Sequence, residues 1–423
     1  MGTGTEALAE SALRALGSAC EQVAEATEAD AVDGVRPRVV ARPGTTGQVA
    51  EVMRAAAGHG LAVVARGRGT KMTWGRPPAR AEVVVDLSGM DRVLDHAAGD
   101  LVVHTQAGAA LAAVQEAVAA AGQRLAVDDT VPGASIGGTV ATRTAGPGRV
   151  AYGTVRDLLI GVSVVRADGV VAKAGGRVVK NVAGYDLGKL VTGSYGTLVI
   201  LTEALFRLHP LPAARRFVSV PVADPAAAHE LTQAVVHSQV VPAAVEVDWP
   251  AQGRGSLTVL LEGIPAGVEG RTQTTLALLG EEASAAESAP AGWGCYPWPL
   301  DAAGQERATA LKLTFALSGL PEVLTAAGQV GAPVTLRGSS GAGVLYAALP
   351  AGTDPATVAD AVARLREVCG RHGGSVVVLD AAATVKQAVD SWGPVNGLDL
   401  MRRVKDQFDP DHRLAPGRFV GGI

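Results

Sequence analysis

"VVARGRGTKMTWGRPP", Val63 to Pro78, is an apolar run that breaks into a loop carrying three glycines, three arginines and a lysine. Glycine admits positive φ and has no Cβ to keep a ligand away from the main chain. An apolar strand running into such a loop is therefore a common way of bringing backbone N–H groups against a phosphate. The same composition also suits a basic surface turn between two strands, so the surrounding chain has to decide.

Upstream, "TTGQVAEVMRAAAGHG" from Thr45 to Gly60 places Val49, Val52, Met53 and Ala56 on one helical stripe, with Thr45 or Thr46 as cap and Gly60 as terminator. A short strand, Leu61 to Ala65, follows it. Downstream, "AEVVVDL" and "DLVVHTQAG" read as strands and "ALAAVQEAVAAAG" as a helix ending at Gly122. The order is that of an α+β unit. "DDTVPGASIGGTVATRTAGPG" then reads as one long Gly/Thr/Ala loop, and loops of that length inside a domain are usually functional. Strands "LIGVSVVRADG" and "LVILTEALFRLHP" complete this part.

"HPLPAARR" reads as a linker. Beyond it, "RFVSVPV", "PAAAHELTQAVVHS", "AAVEVDW" and "SLTVLLEG" form a β-α-β-β pattern, and a similar one runs from "ALKLTFAL" through "VLYAALP" to "SVVVLD". Two such units predict a repeated antiparallel sheet with helices on one face. The last 28 residues hold an amphipathic helix and a Pro/Gly-rich tail.

At 423 residues the chain calls for two or three domains, and 48% hydrophobic against 18% charged residues marks it as globular. A net charge of −4 with Lys and Arg scattered among Asp and Glu argues against nucleic acid. Cys20, Cys295 and Cys369 lie too far apart to build an iron–sulfur cluster or a zinc knuckle. No metal site is expected, and any cluster must sit on a partner. Neither a signal peptide nor a run of about 18 apolar residues is present, which leads to the expectation of a cytoplasmic protein, or one peripheral to the membrane through a complex. Three common motifs are excluded as well. "GTGTEA" at Gly2 to Ala7 has no strand before it, Gly188-Lys189 is followed by Leu instead of Ser or Thr, and His229-Glu230 finds no second His until His237.

What remains is a pair of Gly-rich loops in one domain. "RPRVVARPGTTGQVAEVMRAAAGHGLAVVARGRGTK", "PGASIGGTVAT" and "KNVAGYDLGKLVTGSYGTLVILTEALFRLHPLP" resemble, in order and spacing, the FAD-binding domain of the vanillyl-alcohol oxidase or p-cresol methylhydroxylase (PCMH) flavoproteins. Within that family "RGRGTKMTWG", "GPGRVAYGTVRD", "GGRVVKNVAGYDL" and the tail "FDPDHRLAPGRF" look most like the second FAD-binding subunit of bacterial glycolate oxidase. The resemblance implies an N-terminal helical segment over 1–32, a PCMH-type FAD-binding domain of two α+β subdomains over 33–212, a ferredoxin-like antiparallel cap over 213–384, and a segment over 385–423 that returns to the flavin domain.

It further assigns Gly67, Arg68, Gly69, Thr70 and Lys71 to the FAD pyrophosphate, and Pro132, Ser135, Ile136, Gly137, Gly138 and Thr142 to the ribityl chain and phosphates. Gly153 and the edge strand Leu198, Val199 and Ile200 would border the ring system. Arg68 stands where glycine is usual, which predicts negative φ or a guanidinium aimed at a phosphate. Thr139, Arg143 and Tyr195 are further departures. Thr70 and Lys71 occupy the positions where covalently flavinylated relatives carry His or Cys, so the FAD is expected to be noncovalent.

Oxidising a 2-hydroxy acid needs a cationic clamp for the carboxylate and a base for the hydroxyl proton. The His-rich motif of the family's catalytic subunits is missing, and His229, His237 and His372 are isolated. Lys312 and Arg337 sit on cap strands as candidates for the clamp, although outward, solvated positions are the simpler reading for both. The implied function is that of an FAD-binding subunit acting with a second, catalytic FAD subunit and an iron–sulfur subunit on glycolate or a similar 2-hydroxy acid. A self-sufficient FAD-dependent dehydrogenase and a noncatalytic scaffold without flavin are the alternatives.

Overall fold

The computed structural model describes residues 8–176, 185–252, 254–301 and 303–423. Gly2 to Ala7, and Arg177 to Gly184 of the "GGRVVKNVAGYDL" motif, lie outside the described residues.

The first unit is an α/β layer. Thr45 caps the helix Thr46–Gly58 by accepting from Gln48 N at 3.1 Å, and Val49, Val52, Met53 and Ala56 are all buried. This helix links two strands, Val39–Ala41 and Val63–Arg66, that both run parallel to Val83–Asp86. Strands buried on both faces read as unbroken apolar runs, as "VVA" and "VVVD" do here. The strand Val63–Arg66 discharges the Gly67–Pro78 loop at its carboxyl end. On its other side the C-terminal tail joins it, with Val63 N donating to Arg413 O and Ala415 N to Val63 O.

The second unit is a five-stranded antiparallel sheet in the order Val93–Ala97, Val102–Gln106, Ile200–Arg207, Leu159–Val165, Val171–Gly175. It packs around Phe206, Leu158 and Val114. The long Gly/Thr/Ala stretch is not one loop, because it contains the helix Ile136–Thr142. Ser135 caps it by accepting from Gly138 N at 3.2 Å, and Ile136 and Val140, one turn apart, are buried. Its glycines and β-branched residues score poorly for helix, and packing overrides them.

The cap is one eight-stranded antiparallel sheet assembled from two copies of a β-α-β-β-α-β unit. The first orders its strands Ser284–Ala286, Ala214–Val222, Gly255–Gly263, Ala244–Trp249, and the second, in the mirrored direction, Thr335–Ser339, Val344–Leu349, Thr309–Thr314, Ser375–Asp380. Each unit has the 4-1-3-2 order of a ferredoxin-like fold. They join where Ala244–Trp249 pairs with Thr335–Ser339. The helices Pro225–Val236, Pro265–Leu279, Leu320–Ala327 and Pro355–Arg371 supply one core, and Asp224 and Asp354 cap the first and last of them. The opposite sheet face packs on the flavin-side loops through Tyr296, Trp298, Tyr346 and Leu379 against Trp74, Val131 and Ala134.

A buried charge cluster fastens the same junction. Lys386 Nζ lies 2.7 Å from Asp33 and 3.0 Å from Asp380, Arg307 reaches both carboxylates at 3.1 Å, and Lys386 also donates to Thr73 O. Removing one member of a buried ionic network leaves its partners uncompensated, at a cost of about 3–5 kcal/mol. Lys386→Met is therefore expected to lower the urea midpoint clearly, and a midpoint equal to wild type would show that the cluster adds no net stability.

Candidate functional site

Three elements line an open cleft: the Gly67–Met72 loop, the helix Ile136–Thr142, and the segment that leads into the strand Ile200–Arg207. The loop and the helix N-terminus almost touch, since a Cβ on Gly67 would lie 2.1 Å from Ser135 Oγ. Gly69 has φ +78°, a conformation that favours glycine. Among the described residues, the main-chain N–H groups of Gly67 to Lys71 have no protein acceptor. A run of free donors after a parallel strand, beside a capped helix start, suits an anion such as a pyrophosphate. Gly138 looks onto the same space: a Cβ there meets only Ser135 Oγ at 3.1 Å and the end of Lys71 at 3.9 Å. These features fit a dinucleotide laid along the glycines.

Lys71 is buried, which pushes its ammonium down to about 8 while Asp129 pulls the other way. Arg68 does not adopt positive φ; its guanidinium instead crosses to Gly133 O at 3.1 Å. Arg418, from the C-terminal tail, is buried and donates to Lys71 O and Met72 O at 3.2 and 2.6 Å, which holds the loop's turn in place. Tyr195 sits at φ +55° and stacks on Phe419 with ring centroids 5.8 Å apart.

Of the residues expected from sequence, Gly67, Arg68, Gly69, Thr70, Lys71, Ser135, Gly137, Gly138, Thr142 and Val199 line this cleft. Five others do not. Leu198 and Val199 precede the strand, which starts at Ile200 and lies in the middle of its sheet instead of at an edge, and the side chains of Leu198 and Ile200 are buried in the cores. Ile136 is turned into the same core, and Pro132 is exposed on its loop. Gly153 ends the short helix Arg149–Tyr152, with Asp157 against it. Ala107, Val191, Ser194, Tyr195, Leu201 and Arg418 are lining residues that sequence reasoning missed. Two of them had a signal: Tyr195 as a departure from the family pattern, and Arg418 in the tail that reads as returning to the flavin domain.

A second cleft, of about 200 Å³, adjoins the first through Thr142 and Tyr195 and lies under the cap. Strand register decides what it contains. Lys312 pairs with Tyr346, Tyr346 with Arg337, and Arg337 with Asp248, so this row shares the sheet face turned toward the flavin domain. The outward reading of Lys312 is thereby corrected: Leu311 and Leu313 take the helix side, and Lys312 enters the cleft with Arg143, Trp74, Tyr296, Tyr346 and Trp392. Burial pushes its ammonium below the ordinary range, with Tyr346 opposing and Arg149 and Arg143 assisting. Arg337 lies two strands away, bound to Asp248 at 2.9 Å and outside this cleft. His229, His237 and His372 line neither cleft.

Residues 37–175 match the FAD binding domain family, and residues 345–419 match the C-terminal domain of FAD linked oxidases. Over 211 residues the chain is 30% identical to glycolate oxidase subunit GlcD of Bacillus subtilis, covering 50% of this chain and 45% of that protein. It is 36% identical over 154 residues to glycolate oxidase subunit GlcE of Escherichia coli, covering 36% and 43%. It is also 36% identical over 191 residues to D-2-hydroxyglutarate dehydrogenase of Xanthomonas citri, covering 44% and 40%. The matched region thus spans less than half the length of these curated relatives. Among solved structures, an alkyldihydroxyacetonephosphate synthase superposes with a TM-score of 0.74 at 16% identity, over 99% of this chain and 86% of that one, which shows a shared fold. Among the described residues no helix is long and apolar enough to cross a membrane.

Proposed function

The chain belongs to the FAD-linked oxidoreductases, and from that premise we propose that it is an FAD-binding subunit of a glycolate oxidase-type complex, acting on a small 2-hydroxy acid. The observation that carries the reading is the second cleft, because it meets the FAD cleft at Thr142 and Tyr195 and contains two cationic side chains. Bound in the first cleft, FAD supplies the hydride acceptor that alcohol oxidation needs. Arg143 offers a fork of N–H donors that matches a carboxylate. Lys312, eased toward its neutral form by burial, is placed to take the hydroxyl proton. Trp74, Tyr296 and Trp392 wall the space with aromatic surface that limits water. No Cys or His lines the FAD cleft among the described residues, in keeping with noncovalent attachment.

Similarity to both GlcD and GlcE supports membership of a multi-subunit oxidase. A second flavoprotein and an iron–sulfur subunit are the partners this reading calls for, the latter because three scattered cysteines hold no cluster here. A self-sufficient dehydrogenase is the second reading, because the pair Lys312 and Arg143 in one cleft would serve a chain that works alone as well as one in a complex. Anaerobic mixing of the lone chain with glycolate or D-lactate separates the two. Slow or absent flavin bleaching that becomes rapid with the partner subunits is the expected result. Rapid bleaching by the lone chain would establish the second reading, and no bleaching under either condition with any 2-hydroxy acid would remove the substrate class.

A further inference from the structure

Behind the Lys312 cleft lies a small rear cavity, and Tyr296 and Tyr346 line both spaces. A third small space adjoins it on the side of the loop at Pro290 to Trp293 and shares Glu246, Gly294 and Arg337 with it. Tyr346 therefore stands in the wall between the front cleft and the rear cavity. Its hydroxyl accepts a hydrogen bond from Arg149 Nη2 at 2.8 Å and donates to Ala145 O at 3.2 Å, both in the rear cavity, while Lys312 is its partner across the strand pair on the other side. Glu246 lines the rear cavity, and its Oε1 is buried without a hydrogen-bond partner among the described residues. An unpartnered carboxyl oxygen in a cavity with an arginine that already serves a tyrosine is costly to keep unless it does something there.

We propose that Glu246 is a positioning residue for the Lys312 site: uncharged, it leaves the Arg149 charge free to act on the Tyr346 phenol and through it on Lys312, and ionised, it draws that charge to itself. This rests on reading the front cleft as the substrate site. The charged and polar groups that face Glu246 are Arg149, Arg337, Asp128 and the Ser339 hydroxyl; those that face Tyr346 are Arg149, Lys312 and Tyr296. Burial drives Glu246 up to about 8, reinforced by Asp128 and opposed by Arg149, Ser339 and Arg337. Burial also raises the Tyr346 phenol, but the charges of Arg149 and Lys312 and the hydrogen bond from Arg149 more than cancel this, leaving it below its ordinary value.

The two ionisations then oppose each other. Below about 8 Glu246 is neutral and Arg149 favours the phenolate; as pH rises, Glu246 releases its proton to solvent, and the new negative charge disfavours a second one on Tyr346. Phenolate on Tyr346 in turn favours the ammonium form of Lys312, so the front site responds to the rear acid.

The test follows the Tyr346 side chain directly in the FAD-loaded protein. With tyrosine labelled at Cζ with carbon-13, the chain's five tyrosines are few enough for Tyr346→Phe to assign the resonance. In wild type the Tyr346 signal is expected to carry a step that coincides with the Glu246 carboxyl, followed separately at its own labelled Cδ, besides any step it shares with the adjoining Tyr296 phenol. In Glu246→Gln, which keeps the shape and stays neutral, that step is expected to vanish and the remaining titration to shift down by about one pH unit. The pH profile of flavin reduction should move with it. Superimposable curves in wild type and Glu246→Gln would overturn the proposal, and so would a wild-type signal with no step at the Glu246 titration should the variant fail to fold. If the resonance behaves as expected while every 2-hydroxy acid leaves the flavin oxidised, the link between Glu246 and Tyr346 stands and the substrate reading falls.

Discussion

Gly138→Leu is expected to give a folded protein that has lost its yellow colour. Gly138 lies in the helix Ile136–Thr142 without positive φ, so the backbone accepts an L side chain, and leucine is the better helix former. A Cβ there points at the cleft and meets only Ser135 Oγ and the flexible end of Lys71. The added side chain therefore takes space from the cofactor and leaves the core untouched. Overpacking a rigid site costs about 1–3 kcal/mol, roughly fivefold to 150-fold in affinity, and more where the ligand cannot shift. FAD released by acid from gel-filtered protein measures the outcome, with Gly58→Leu as control because nothing lies within 4 Å of a Cβ there. Equal FAD content in both variants, at unchanged melting temperature, would remove this cleft as the FAD site.

With its partner subunits present, Lys312→Met is expected to keep FAD and lose flavin reduction. Removing a general base costs about a hundredfold to ten-thousandfold. In wild type the neutral amine is the active form, so the anaerobic reduction rate should climb with pH through the depressed Lys312 value, and the variant should lose that limb. Stability should move the other way. Because the folded-state value lies below the ordinary 10.5, the unfolded chain binds the proton more tightly. The penalty is full below the folded value and fades as pH rises to the unfolded one. Methionine in that place is thus expected to be at least as stable as lysine at neutral pH. A variant that is less stable and equally fast would mark Lys312 as a structural residue.

The first cleft, the proposed FAD site, was legible in sequence because the demands on its glycines are local. Gly67, Gly69, Gly137 and Gly138 are there for the conformation and the close approach of their own backbone, and that requirement shows in residue type and spacing alone. The repeated β-α-β-β pattern of the cap was visible for the same reason, since period-2 and period-3.6 runs belong to single segments. What single segments cannot express is which face of a strand meets another domain. Lys312 lies between Leu311 and Leu313, a pattern that reads as a solvated position; only the docking of the cap onto Trp74, Val131 and Ala134 turns that face into the wall of a cleft.

The same limit applies to Leu198 and Ile200, which the structure buries in the cores beside the cleft instead of in its lining. Which residues of this segment line the cleft is set by the helix Ile136–Thr142 packed against the strand. Tyr346, Arg149 and Glu246 come from three segments about 100 residues or more apart in sequence, and strand register and domain docking alone bring them to adjoining cavities. Local backbone demands were thus determined by the sequence itself. The long-range burial that decides which cations lose water and face a substrate was decided by the tertiary structure, because desolvation depends on what covers a side chain and not on its neighbours in the chain.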